Sequence, residues 1–207
     1  HYNIYGPSME DFEAAIEKYS TIVDKIHITE LDLRTNNEMG GQLEFSRGKE
    51  GEVPRYIKTL HDAQYARLFR VMRKHKDVIK DATFWNLSDA DSWIGANNYP
   101  LPFDKNIKPK KVYYTIKNFN PALDNAVVKE DFRPSPLNQP GQQYPMVNSQ
   151  GYARFRVVAP DAKSVIVSLG LGGTGGTVLQ KDKQGVWVGT TDGPMDPGFH
   201  YYHLTID

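Results

Sequence analysis

At 207 residues, 39% of them hydrophobic and 24% charged, the chain has the size and make-up of one or two globular domains. Twenty-five basic residues balance 25 acidic ones, which argues against a nucleic-acid partner or an anionic membrane surface, and the absence of cysteine excludes disulfides, thiolate metal sites and cysteine nucleophiles. No apolar run reaches the ~18 residues of a membrane span. The chain opens on His1 with no charged-then-apolar leader behind it, as expected of a piece of something longer.

The first part of the chain alternates between helical and strand patterns. Gly6-Pro7 marks a turn and Ser8 fits an N-cap, with Glu10 and Asp11 in the first turn. Phe12, Ala15, Ile16, Tyr19, Ile22 and Val23 then recur at helical spacing as one apolar stripe. The run from Lys25 to Leu33 is rich in β-branched residues and too short for a helix, so it reads as a buried strand. Residues 34–54 are polar and aperiodic, a long loop. A second helix is expected from Arg55 to Lys80, with Tyr65, Leu68, Phe69 and Met72 on one face, followed by a strand over Asp81–Leu87.

A loop with Asp89, Asp91, Trp93, Asn97 and Asn98 leads to Pro109, which suits a first helical position. Val112, Tyr113, Ile116 and Phe119 mark the helix it would open. Strands alternating with helices imply a parallel sheet. The long loops follow the strands' carboxyl ends, where α/β barrels build their sites.

The character changes after this. Five prolines between Pro121 and Pro145 sit among Asn, Gln and Gly, so residues 123–144 read as a Pro-rich linker between domains at 1–122 and 145–207. Beyond it the period is two. Ala153, Phe155 and Val157 alternate with polar neighbours, Val165 and Val167 follow, and Val186–Val188 and Phe199–Ile206 add strands. Turn clusters between short strands suggest an all-β sandwich. About 60 residues against the usual 100 or so would leave it incomplete.

Chemistry concentrates on two strands. Alternation in the first puts Ile28, Glu30 and Asp32 on one face. Two carboxylates on a largely apolar strand are costly unless a site uses them. A glycosidase needs one carboxylate as nucleophile and another to protonate the leaving group, and Glu30 near the strand's end suits the first role. A strand-end carboxylate paired with Arg34 or Lys25 is the structural alternative. After the second strand, Trp85 and Trp93 flank Ser88-Asp89-Ala90-Asp91-Ser92. Sugars stack C–H faces on aromatic rings and direct hydroxyls to carboxylates and amides; as isolated residues the two tryptophans would instead be core filler.

The wording of these segments is specific. His27-Ile28-Thr29-Glu30-Leu31-Asp32, then Thr83-Phe84-Trp85-Asn86-Leu87-Ser88-Asp89 leading to Ser92-Trp93, then Pro100-Leu101-Pro102-Phe103-Asp104 and Pro109-Lys110 with Tyr113 resemble the last third of the family 10 glycoside hydrolases, the endo-β-1,4-xylanases. The resemblance covers residues 1–119. It implies an incomplete TIM (β/α)8 barrel, running from the end of strand six to helix eight. It also implies a retaining mechanism with Glu30 as nucleophile. His1 matches the histidine ending the sixth strand and Asp32 the aspartate two after the nucleophile, both supporting its ionisation. Trp85 and Trp93 match the tryptophans at the floor and rim of the sugar cleft. Asn86 stands where Gly is common, Pro102 replaces a usual Leu, and Lys111 a usual Pro.

The implied partner is xylan or a xylo-oligosaccharide, with no metal or cofactor, no nucleic acid and no membrane; the oligomeric state is left open. The family's acid/base glutamate lies on strand four, which this chain lacks, so the piece alone is expected to be inactive and not to fold natively. The family also implies a secreted, periplasmic or cell-surface location.

The second part resembles the immunoglobulin-like modules, related to family 48 modules, that precede bacterial carbohydrate esterases. The match lies in Gly151–Val165 and in Trp187, Gly193-Pro194 and Gly198–Tyr202. It implies an incomplete immunoglobulin-like β-sandwich and a bifunctional parent that removes feruloyl or acetyl groups, although no Gly-x-Ser-x-Gly elbow occurs in the 207 residues. A non-catalytic carbohydrate-binding or spacer protein with a barrel remnant is the rival. Xylan binding by the β-module would need exposed aromatics, for which Tyr152, Trp187 and Tyr201 are candidates.

Several features read as plain structure. Gly170–Gly176 lacks a Lys-Ser/Thr ending and a following helix, so it is a hairpin loop and not a phosphate cradle. His200 and His203 fall on opposite faces of the expected strand, His61 and His75 are expected on exposed helix surface, and Arg73–Lys76 is a solvated face.

Overall fold

The computed structural model describes residues 1–4, 7, 9–35, 53–124, 126–169, 176–195 and 197–207. Gly6, Ser8, most of the 34–54 loop and the Gly-rich stretch through residue 175 lie outside these. The chain forms two compact units, His1–Phe119 and Asn120–Asp207.

In the first unit, β1 (Tyr2–Asn3) is followed by helix α1 (Met9–Ser20), β2 (Ile26–Leu31) and β3 (Leu33–Arg34). Helix α2 (Arg55–Lys74), β4 (Ile79–Phe84) and helix α3 (Lys111–Lys117) complete it. β1 pairs in parallel with β3, and β2 with β4. Helices return the chain between parallel strands, as short turns do only for antiparallel ones. Phe12 and Ile16 of α1 and Leu60, Tyr65, Leu68 and Met72 of α2 are buried, as are Leu31 and Leu33 at the strand ends.

Several boundaries differ from expectation. α1 stops at Ser20 because the Ser20 and Thr21 hydroxyls turn back onto the carbonyls of Glu17 and Lys18 at 2.7 and 2.8 Å. Tyr19, Ile22 and Val23 are consequently exposed instead of extending the apolar stripe. α2 ends at Lys74, with His75 as its C-cap. The strand after it begins at Ile79 and not Asp81. The first expected strand is broken at Asp32, and its pairing with β4 shifts register between Ile28 and Leu31. Pro109 lies two residues before α3, whose N-cap is Lys110.

Both helix histidines depart from the expected exposed surface. His61 is buried, with its ring edge-on to Tyr65 at 4.9 Å and Tyr99 at 5.2 Å. The His75 Nε2 lies 2.7 Å from Glu13, joining the end of α2 to α1.

The second unit opens with a short helix α4 (Pro121–Asp124). Eight strands follow: β5 (Arg133–Pro134), β6 (Met146–Val147), β7 (Ala153–Val158), β8 (Val165–Leu169), β9 (Gly176–Val178), β10 (Gln180–Lys181), β11 (Val186–Thr190) and β12 (Tyr202–Ile206). They make a five-stranded sheet ordered β10-β11-β7-β6-β5 and a three-stranded sheet ordered β12-β8-β9, with every pairing antiparallel. Ala153, Phe155 and Trp187 from the first sheet pack with Val165 and Val167 from the second and with Leu179. The segment read as linker thus contributes an edge strand, β5. Of the three aromatics considered for sugar binding, Tyr152 and Trp187 are core and Tyr201 is exposed. His200 precedes β12, so the two histidines do not share a strand.

One strained position bears on the site. The Trp85 amide still donates to the Leu31 carbonyl at 3.0 Å, and Asn86 then turns the chain with φ of 93°. A left-handed non-glycine residue costs about 1–2 kcal/mol. Asn86→Gly is expected to stabilise the protein by about 1 kcal/mol, checked by its midpoint in urea; a lowered midpoint would show that the asparagine side chain outweighs the strain.

Candidate active site

The amino end of β1 meets the carboxyl ends of β2 and β4. β3 aligns beside β1, with the Tyr2 amide donating to the Asp32 carbonyl at 3.0 Å, and this brings His1 across the end of β2. The His1 ring bridges two carboxylates: its Nε2 lies 2.9 Å from Glu30 Oε2 and its Nδ1 2.9 Å from Asp32 Oδ2. The same Asp32 oxygen accepts the Trp93 indole N–H at 2.6 Å. The rings of His1 and Trp93 are 4.8 Å apart, and Trp85 meets His1 edge-on at 6.4 Å. All five residues singled out from the sequence therefore fall in one cluster.

The two carboxylates live in different surroundings. The Asp32 side chain is wholly buried, whereas that of Glu30 is 48% exposed. Burial raises the Asp32 pKa above its ordinary value, and the hydrogen bond from Trp93 partly offsets this. Its other oxygen, Oδ1, is buried with no hydrogen-bond partner among the described residues. Glu30 presents a half-open carboxylate held in orientation by one imidazole. Trp85 and Trp93, 42% and 36% exposed, leave ring surface beside it. Such a cluster can bind a neutral sugar by ring stacking and deliver an aimed carboxylate to it.

Two side chains that stand in the quoted motifs without a role, Asp89 and Lys110, pair beside the site. Lys110 and Asp89 form an ion pair at 2.9 Å with both side chains buried. Burial lowers the Lys110 pKa to about 8 and raises that of Asp89. Nothing in the sequence marks Lys110 apart from Lys108 and Lys111, or Asp89 apart from Asp91; a buried charge requires a partner, and burial is set by the fold.

A parallel strand–helix frame with carboxylates and tryptophans beyond its strand ends has the layout of an α/β-barrel protein. The glycosyl hydrolase family 10 model matches residues 1–119, and the chain belongs to that family. An "endo-1,4-beta-xylanase/feruloyl esterase" of Xylanibacter ruminicola is 70% identical over all 207 residues, which span 28% of that protein. Endo-1,4-beta-xylanase B of Paenibacillus barcinonensis is 31% identical over 122 residues, 56% of this chain and 35% of the relative. Among solved structures, a psychrophilic family 10 endo-beta-1,4-xylanase superposes with a TM-score of 0.52 at 55% identity, over 58% of this chain and 35% of its own. The first unit thus has the fold of part of a TIM barrel.

Burial makes the Asp32 carboxylate hold its proton more tightly in the folded state than in the unfolded chain. Its contribution to stability is then fully present below its unfolded pKa of 3.8 and is lost as the pH rises through the folded-state value. At neutral pH the ionised group is a net cost. Asp32→Asn is expected to raise the melting temperature at pH 7, with the gain shrinking towards pH 4. A variant less stable than the parent at pH 7 would show that the His1 and Trp93 contacts outweigh the burial.

Proposed function

We propose that this chain is the part of a retaining endo-1,4-β-xylanase that carries the nucleophile. The supporting observation is the pairing of a half-exposed Glu30 with a fully buried Asp32 through the two nitrogens of His1. Glu30 Oε attacks the anomeric carbon of a xylose unit as the glycosidic C–O bond breaks. A second carboxylic acid, from a part of the barrel outside this chain, gives its proton to the departing oxygen. Water, deprotonated by that same group, then displaces Glu30 and releases the sugar with net retention. The two carboxyl groups would lie about 5–5.5 Å apart. His1 orients Glu30, Asp32 fixes His1, and Trp85 and Trp93 stack against sugar rings. A largely uncharged polysaccharide suits a chain of zero net charge.

The second unit reads as an immunoglobulin-like module, from two facing antiparallel sheets around Phe155 and Trp187. The relative named for both xylanase and feruloyl esterase activities supports a bifunctional protein that cuts the xylan backbone and removes its feruloyl decorations. Membership of the family supports a secreted, periplasmic or cell-surface location.

In the full-length protein that contains this chain, Glu30→Ala is expected to reduce xylan hydrolysis about 10³-fold or more. Azide should restore turnover of an activated aryl xyloside, forming an α-glycosyl azide. An unaffected rate, or a β-configured azide product, would remove Glu30 from the nucleophile's role.

A further inference from the structure

The loop that carries Trp93 is closed by a buried ion pair. It leaves β4 at Asn86 and returns to α3 at Lys110. The Lys110 ammonium lies 3.1 and 2.9 Å from the two oxygens of Asp89, donates to the Tyr99 carbonyl at 3.1 Å, and sits 3.5 Å above the Tyr99 ring centre. Asp89 Oδ1 also accepts the Leu101 amide at 2.9 Å. One carboxylate therefore joins the start of the loop to its end, and one ammonium holds the left-handed residue, Tyr99 with φ of 50°, that turns the chain between them.

We propose that Lys110 is a positioning residue for the sugar site: through Asp89 and Tyr99 it sets the loop that holds Trp93 against His1 and Asp32. The proposal rests on the reading of that site as a glycan-hydrolysing centre. Between the clamped ends, the chain makes two short 3-10 turns, Asp89–Asp91 and Ala96–Asn98, with Trp93 between them. The Ser92 amide donates to the Asp89 carbonyl at 3.4 Å, and the Gly95 amide to the Ser92 carbonyl at 3.0 Å. The route from the ion pair to Trp93 is thus four residues of hydrogen-bonded turn.

The far side of the loop is tied to the strand that carries the carboxylates. Leu33 and Thr35 donate backbone N–H groups to the Pro100 and Asn98 carbonyls at 3.3 and 3.1 Å, and the Tyr65 hydroxyl reaches Pro100 at 2.6 Å. These three hydrogen bonds hold the loop against the strand ends and α2.

Stability alone does not call for this pair. A buried ion pair is often no more stabilising than apolar groups of the same volume, because desolvation offsets the attraction. What the pair supplies is a single arrangement: a fork of acceptors on Asp89 and three donors on Lys110 match only one placement of Tyr99 and Leu101. The indole N–H of Trp93 must meet Asp32 at 2.6 Å, so a displacement near 1 Å at the turn breaks that contact, and errors of this size cost up to about 10²-fold in rate.

The test uses the full-length protein labelled with 5-fluorotryptophan, with the Trp93 ¹⁹F resonance assigned by its loss in Trp93→Phe. Lys110→Met is expected to shift that resonance and to lower kcat/KM for a xylo-oligosaccharide about ten-fold. The double variant Trp93→Phe/Lys110→Met should be no worse in kcat/KM than Trp93→Phe alone, since both remove the same contact. If Lys110→Met fails to fold, Asp89→Asn/Lys110→Met, which leaves no unpaired buried charge, carries the same measurements. An unmoved resonance, or fully additive losses in the double variant, would overturn the proposal. Should the parent protein not hydrolyse xylan at all, the glycosidase reading fails, and the resonance still decides whether Lys110 positions Trp93.

Discussion

The buried Asp32 carboxylate is the constraint from which the site follows. An ionised group without solvent is tolerated only if donors meet it, and here one oxygen takes both available donors, the His1 imidazole and the Trp93 indole, within 2.9 Å. Each donor comes from a different part of the chain, from the residue before β1 and from the loop after β4. Holding Asp32 in place therefore requires both segments in register with β2. Glu30, two residues earlier in β2, lies on the other nitrogen of His1 and is oriented by the same ring.

The same logic explains why two buried charge clusters occur so close together. Asp32 uses Trp93, and Trp93 stands on a loop whose ends are joined by Asp89 and Lys110. Both carboxylates are pushed towards the neutral form by burial, and Lys110 is pushed the same way. Such an arrangement is expensive in desolvation and gives little net stability. It does limit the number of conformations open to the groups that meet a substrate, which is what a site of fixed geometry requires. Glu30, in contrast, stays half in water.

Much of this was legible in the residues. The Thr29-Glu30-Leu31-Asp32 alternation and the spacing of Trp85 to Trp93 point to the right cluster, because strand period and side-chain chemistry are both local. The parts that were not legible depend on partners distant in sequence. His61 was read as surface, although it stands four residues before Tyr65 and seven before Leu68 on the apolar face of α2, and that spacing was the missed signal. The end of α1 turned on two hydroxyls competing for carbonyls, which a stripe of apolar positions does not register. Strand alternation puts Asp32 and Glu30 on one face and does not register their difference in burial; the break after β2 separates a buried group from an open one.

Asn86 shows how far a local departure can be absorbed. At the carboxyl end of β4 the chain must change direction to lift the following loop over the site, and the φ of 93° there is ordinary for glycine and strained for asparagine. The strain does not spread. The Trp85 amide remains paired to Leu31, and Ser88 resumes pairing beside Phe103, so the turn is pinned one residue before it and two after. A residue fixed from both sides in this way can hold an unfavourable conformation, and the geometry of Trp85 then depends on the pinning contacts and not on the identity of the side chain at the turn. That is why a substitution where glycine is common leaves the cluster of His1, Glu30, Asp32 and the two tryptophans assembled.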